Sequence, residues 1–139
     1  MSTIVLGYDG SPSANAALAK TIDLAPALGS SVVVVFGFYI SPLAGGDVHD
    51  FKARLETLGE HEVGRAVADL DLNGIEASSR VVSARPADAI LAVAEEVGAD
   101  LIVVGTVGES PISGALLGSV VLKLVQRSPL PMLIVPAPA

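Results

Sequence analysis

The 139-residue chain is 51% apolar, contains neither cysteine nor tryptophan, and carries a formal charge of −7. That acidity argues against general affinity for nucleic acid or anionic membranes, and the missing thiols exclude disulfides and cysteine catalysis. At this length one domain, residues 1–139, buries roughly two thirds of the surface its unfolded chain exposes.

The first strand covers residues 3–9 and ends in Asp9, before the turn Gly10-Ser11-Pro12. Pro12 or Ser13 opens a helix with Leu18, Ile22 and Ala25 on one face, and Gly29 ends it. Residues 31–38, with four consecutive valines, read as a strand buried on both faces. Pro42 and the pair Gly45-Gly46 make residues 41–50 a loop. A polar-faced helix follows over 51–70, with Leu55, Leu58, Val63, Val67 and Leu70 turned inward, and Asn73-Gly74 stops it. Residues 76–83 form a less apolar strand, placed nearer a sheet edge. Pro86 opens a helix burying Ile90, Val93, Ala94 and Val97, closed by Gly98. Residues 101–104 make the fourth strand, 119–127 the last helix and 132–135 the fifth strand. Strands alternating with helices predict an α/β fold: a parallel five-stranded sheet with helices on both faces. No apolar run approaches the ~20 residues of a membrane span. No basic segment precedes an apolar one at the N-terminus, so a cytoplasmic protein is expected.

In open parallel sheets ligands bind outside the C-terminal ends of the strands. Three segments converge there: Gly7-Tyr8-Asp9-Gly10-Ser11, residues 37–40, and residues 105–119. The last reads Gly105-Thr106-Val107-Gly108, nine residues, then Gly118-Ser119. Glycines let the backbone approach a phosphate, and a helix start presents free N–H groups and a positive dipole end. Asp9 has two readings. Its carboxylate accepts from ribose hydroxyls or holds a metal, or it bonds its own backbone at Gly10 and Ser11. Neither Gly-x4-Gly-Lys-Ser/Thr nor Gly-x-Gly-x-x-Gly is present.

The glycine spacing resembles the Gly-x2-Gly-x9-Gly-Ser/Thr loop of the universal stress protein family, with Gly105, Gly108, Gly118 and Ser119 at its fixed positions. The likeness runs along the whole chain. It includes Val5-Leu6-Gly7-Tyr8-Asp9-Gly10-Ser11, Pro86-Ala87-Asp88-Ala89-Ile90, residues 98–105 and Pro131-Met132-Leu133-Ile134-Val135. The resemblance implies a Rossmann-like sheet of order 3-2-1-4-5 and, in the nucleotide-binding branch, an adenosine nucleotide (ATP, ADP or AMP) in the cleft. Asp9 would then meet the ribose, and the backbone at Gly37 and Phe38 would border adenine. Gly105 and Gly108 would line the ribose and first phosphate. Gly118, Ser119 and Val120 would offer N–H groups to the phosphates.

Val107 stands where such loops often carry a basic residue, Val121 where a second hydroxyl often follows, and Glu109 adds a negative charge. No Lys or Arg lies between Arg85 and Lys123. A triphosphate would therefore need Mg²⁺ or another cation, which favours adenosine nucleotides with fewer phosphates.

His49, in the loop, and His61 read as solvated, and Glu60, Glu62, Glu95 and Glu96 as solubilising charges on outer helix faces. Ser110 and Ser113 are ordinary loop serines, and Tyr8 packs at the strand end with a wet hydroxyl. No His or Cys falls near the glycine loop to act as a base, so no catalytic residue is assigned. Three functions remain open: a nucleotide-binding regulatory module of the stress response, a nucleotide-free homodimeric interaction protein, and a slow ATPase using Asp9 and Mg²⁺. The apolar, uncharged strand from Pro131 to Val135 is an edge expected to pair in a homodimer.

Overall fold

The computed structural model describes residues 2–41, 48–107 and 117–138. Five parallel strands form one sheet in the order β3-β2-β1-β4-β5. They are β1 (Ser2–Gly7), β2 (Ser30–Phe38), β3 (Ala77–Ser83), β4 (Leu101–Gly105) and β5 (Met132–Val135). The connecting helices are α1 (Pro12–Leu28), α2 (Val48–Leu72), α3 (Pro86–Val97) and α4 (Ser119–Arg127). None of the described helices is long and apolar enough to cross a membrane.

The period-two alternation of a strand divides the apolar runs between the two faces. Ile4, Leu6, Val32, Val34 and Val103 pack under Leu18 of α1 and Val63, Ala66 and Leu70 of α2. Their neighbours Val5, Val33, Val35, Ile102 and Val104 pack under Ile90 and Val93 of α3 and Val121 and Leu124 of α4. Fully burying an aliphatic side chain such as Ile4, Leu6 or Ile102 is worth about 2 kcal/mol. The four-valine run of β2 is apolar throughout because helices cover both its sides.

Helix ends follow the local chemistry. Ser11 caps α1, its Oγ accepting from the Ala14 N–H at 3.2 Å, with Pro12 in the first turn. Gly29 and Gly98 close α1 and α3 in the left-handed conformation, both at φ 63°.

Two expectations about α2 change. The helix starts at Val48, so His49 lies in its first turn and not in a loop. Leu58 is exposed, because the buried row is Gly59, Val63, Ala66 and Leu70, with Gly59 set against the Phe36 ring.

Because every pairing is parallel, Gly7, Phe38 and Gly105 end their strands along one rim of the sheet. The starts of α1, α3 and α4 follow those strand ends in the chain. That rim carries the candidate site.

Candidate functional site

A cavity of about 340 Å³ opens at the rim. Gly7, Tyr8, Asp9 and Ser11 line it from β1 and the turn after it, Val35 to Gly37 from β2, and Pro86 and Ile90 from α3. Val104, Gly105 and Val107 close it from β4, and Gly118 to Val121 from the start of α4. The structure therefore brings together Asp9, Gly37, Gly105, Gly118, Ser119 and Val120. Phe38 lies beside the cleft, buried, and Gly108, Glu109, Ser110 and Ser113 fall outside the described residues.

One wall is built by packing. A Cβ at Gly105 would lie 2.6 Å from the backbone carbonyl carbon of Ser13, so β4 ends in glycine to let the α1 start approach. Ser13, 1% exposed, donates through Oγ to the Val107 carbonyl and accepts the Val107 N–H at 3.3 Å. The Ser11 hydroxyl reaches the same carbonyl at 3.5 Å. These two serines flanking Pro12 thus hold the first residues after β4. Sequence reading put Ser11 in a segment converging on the site but overlooked Ser13, though a Ser-Pro-Ser helix start is the signal that marks such a cap.

Asp9 performs its turn role: its Oδ1 accepts the Ser11 N–H at 3.0 Å. The second carboxylate oxygen has no partner among the described residues, so both readings of Asp9 fit the geometry. The Tyr8 hydroxyl is not wet. The residue is 3% exposed and its hydroxyl donates to Asn15 Oδ1 at 2.6 Å. Burial pushes the Tyr8 phenol above its usual value of 10.0. Arg65 works against that shift, and Glu62, Asp69 and Asp9 add to it. Glu62 is no simple solubilising charge either: its side chain is 17% exposed, packed against Gly10 and paired with Arg65 at 3.4 Å.

The opposite wall is a helix start. Gly118 has φ −75° and ψ 166°, an extended conformation open to any residue. Its N–H, expected for a phosphate, instead donates to the Thr106 carbonyl at 2.7 Å. The donors left in the first turn of α4 belong to Ser119, Val120 and Val121. The Val121 side chain is 2% exposed in the core beside Leu124, which explains a valine where a hydroxyl was anticipated.

A second cavity, of about 370 Å³, adjoins the cleft and shares Gly37, Pro86, Ser119 and Val120 with it. Phe38, Tyr39, Arg85 and Lys123 also line it. The two cations that bracket the cation-free stretch of sequence thus meet beside the cleft. Among the described residues no three His, Asp or Glu side chains gather as a metal site.

The model of the universal stress protein family matches residues 1–136. A universal stress protein of Thermus aquaticus is 37% identical over 134 residues, covering 96% of this chain and 97% of that one. A universal stress protein family structure from Burkholderia pseudomallei superposes with a TM-score of 0.81 at 26% identity, covering 98% of this chain and 96% of the other. A universal stress protein crystallised in complex with cAMP has a TM-score of 0.72 at 31% identity, over 99% of this chain and 98% of that one. From the opening strand to the closing one, the chain belongs to the universal stress protein family.

Proposed function

We propose that this protein is a regulatory module of the stress response that binds an adenosine nucleotide in the rim cleft. The observation that carries the reading is the open first turn of α4, whose donors line the same 340 Å³ cavity as Asp9 and Gly37. That volume lies in the range of small-molecule sites, about 300–1,000 Å³. A helix N-terminus suits phosphate, and a carboxylate with an unengaged oxygen suits ribose hydroxyls. The relative crystallised with cAMP supports the same ligand class. Among the described residues Asp9 is the only carboxylate lining the cleft, so Mg²⁺ arrives coordinated chiefly by the phosphates and not by a protein cage.

Calorimetric titration with ATP, ADP, AMP and cAMP, with and without Mg²⁺, tests the reading. Heat is expected with at least one of them, and Asp9→Ala weakens that binding by about tenfold, the worth of one hydrogen bond to a charged group. No heat and no thermal shift with any nucleotide at millimolar concentration would sink it.

The working unit is a homodimer joined at β5. Ile102 N–H donates to the Pro131 carbonyl and Thr106 N–H to the Val135 carbonyl, so odd-numbered residues of β5 face β4. Met132 and Ile134 therefore turn their backbone groups to the open edge, which no charged side chain guards. Light scattering is expected to give twice the chain mass at micromolar concentration. The mass of a single chain would overturn this assembly.

A further inference from the structure

We infer that the cavity beside the cleft is a second anion subsite, which takes the oligophosphate end of the ligand. The inference rests on the nucleotide reading for the ligand's adenosine half; the subsite by itself accepts a free oligophosphate.

The charge inventory points there first. In a chain of net charge −7, Lys52, Arg54, Arg65, Arg80 and Arg127 each sit within 4 Å of a carboxylate. Among the described residues, only Lys20, Arg85 and Lys123 lack an acidic partner, and two of those three line this one cavity. Among the described residues no carboxylate lines it. Asp88, in the first turn of α3, is already engaged by Arg127 at 2.6 Å.

The placement of Arg85 is a second sign. It occupies the N-cap of α3, a position where Ser, Thr, Asp or Asn stabilises a helix, yet its side chain caps nothing. Instead its guanidinium lies over the ring of Tyr39, 4.1 Å from the centroid. The half-exposed Tyr39 thereby holds the guanidinium at the mouth of the cavity.

Backbone dipoles add to the side chains. The cavity is bounded by Pro86 and Ala87 of α3 and by Ser119 and Val120 of α4, the positive ends of two helices. Lys123 stands one turn beyond Ser119 on α4. A planar guanidinium, a mobile ammonium and two helix starts make a donor set for phosphate oxygens. The shared residues Ser119 and Val120 connect this subsite to the adenosine cleft, so a phosphate chain passes from one cavity into the other. The long cation-free loop then needs no basic residue of its own.

The test is calorimetry at low salt without Mg²⁺, using AMP, ATP and inorganic tripolyphosphate. The proteins are the wild type, Arg85→Gln, Lys123→Gln and the double variant. Wild type is expected to bind ATP more tightly than AMP and to bind tripolyphosphate. Each single replacement weakens ATP and tripolyphosphate by about threefold and the pair by about tenfold, as for exposed charge pairs. AMP affinity stays unchanged, and high salt erases the differences. Both positions are exposed, so melting temperatures stay close to wild type and report an intact fold. Tripolyphosphate binding without any nucleotide binding upholds the subsite and removes the nucleotide reading. Equal affinities for AMP and ATP, indifferent to both replacements, keep that reading and overturn the subsite.

Discussion

The two walls of the cleft are built on opposite principles. On the α1 side, the chain after β4 is pinned: Gly105 lies against the Ser13 backbone, and both polar groups of Val107 bond the Ser13 hydroxyl. On the α4 side the backbone bond from the Gly118 N–H to Thr106 seats a helix start whose other donors have no partner among the described residues. Glycine therefore serves two purposes in one motif. At Gly105 it permits packing, while at Gly118 the backbone is ordinary and the available surface is what matters. The first wall supplies rigidity and the second supplies hydrogen bonds.

The contrast is broken most sharply by placing the same residue on each wall. Gly105→Val must push α1 away from β4, and is expected to destabilise by about 3 kcal/mol, lowering the melting temperature by about 10 °C. Gly118→Val asks nothing unusual of the backbone, so stability changes by less than about 1 kcal/mol while nucleotide binding falls by at least about tenfold. Thermal denaturation together with titration reads both. Equal melting temperatures for the two variants would show that the walls do not differ.

A smaller effect sharpens the pinned wall. Ser13→Ala removes the donor and the acceptor that hold Val107, and a loss of about 2 kcal/mol is expected in urea unfolding. Hydrogen exchange at the Val107 amide should accelerate in step. An amide protected as well as in wild type would show that the clamp is not what orders this segment.

The smallest change near neutral pH concerns Tyr8. Its phenol is raised from 10.0 by burial, so the folded state favours the protonated form. The stabilisation this gives is complete below about pH 10 and is lost as pH rises through the raised value. Tyr8→Phe is expected to cost about 1 kcal/mol at neutral pH through the lost bond to Asn15. The alkaline loss of stability should shrink in that variant. An unaltered alkaline limb in urea unfolding would remove Tyr8 as its source.

Much of the architecture was legible because it rests on local chemistry. Valine runs too apolar for a one-sided sheet required helices on both faces, and Pro12, Gly29, Pro86 and Gly98 marked helix limits to within a residue. The weaker apolarity of 76–83 announced an edge, and β3 is one. The Leu58 error arose because a helix face is a matter of 100° per residue, and Gly59, without a side chain, gave no apolar signal for the row it occupies.

What the sequence by itself determined was the period of each element, the turns between them and the glycine spacing after β4, since these depend on residues close in the chain. Tertiary structure decided which polar groups remain available. The Gly118 N–H is taken by Thr106, the Tyr8 hydroxyl by Asn15, and Glu62 is folded against the turn at Gly10. It also decided that Arg85 and Lys123, 38 positions apart in the chain, line one cavity. Hydrogen bonding and charge act through space over a few ångströms, and only the parallel winding of the sheet, which sets α3 and α4 side by side on one face, makes those neighbours.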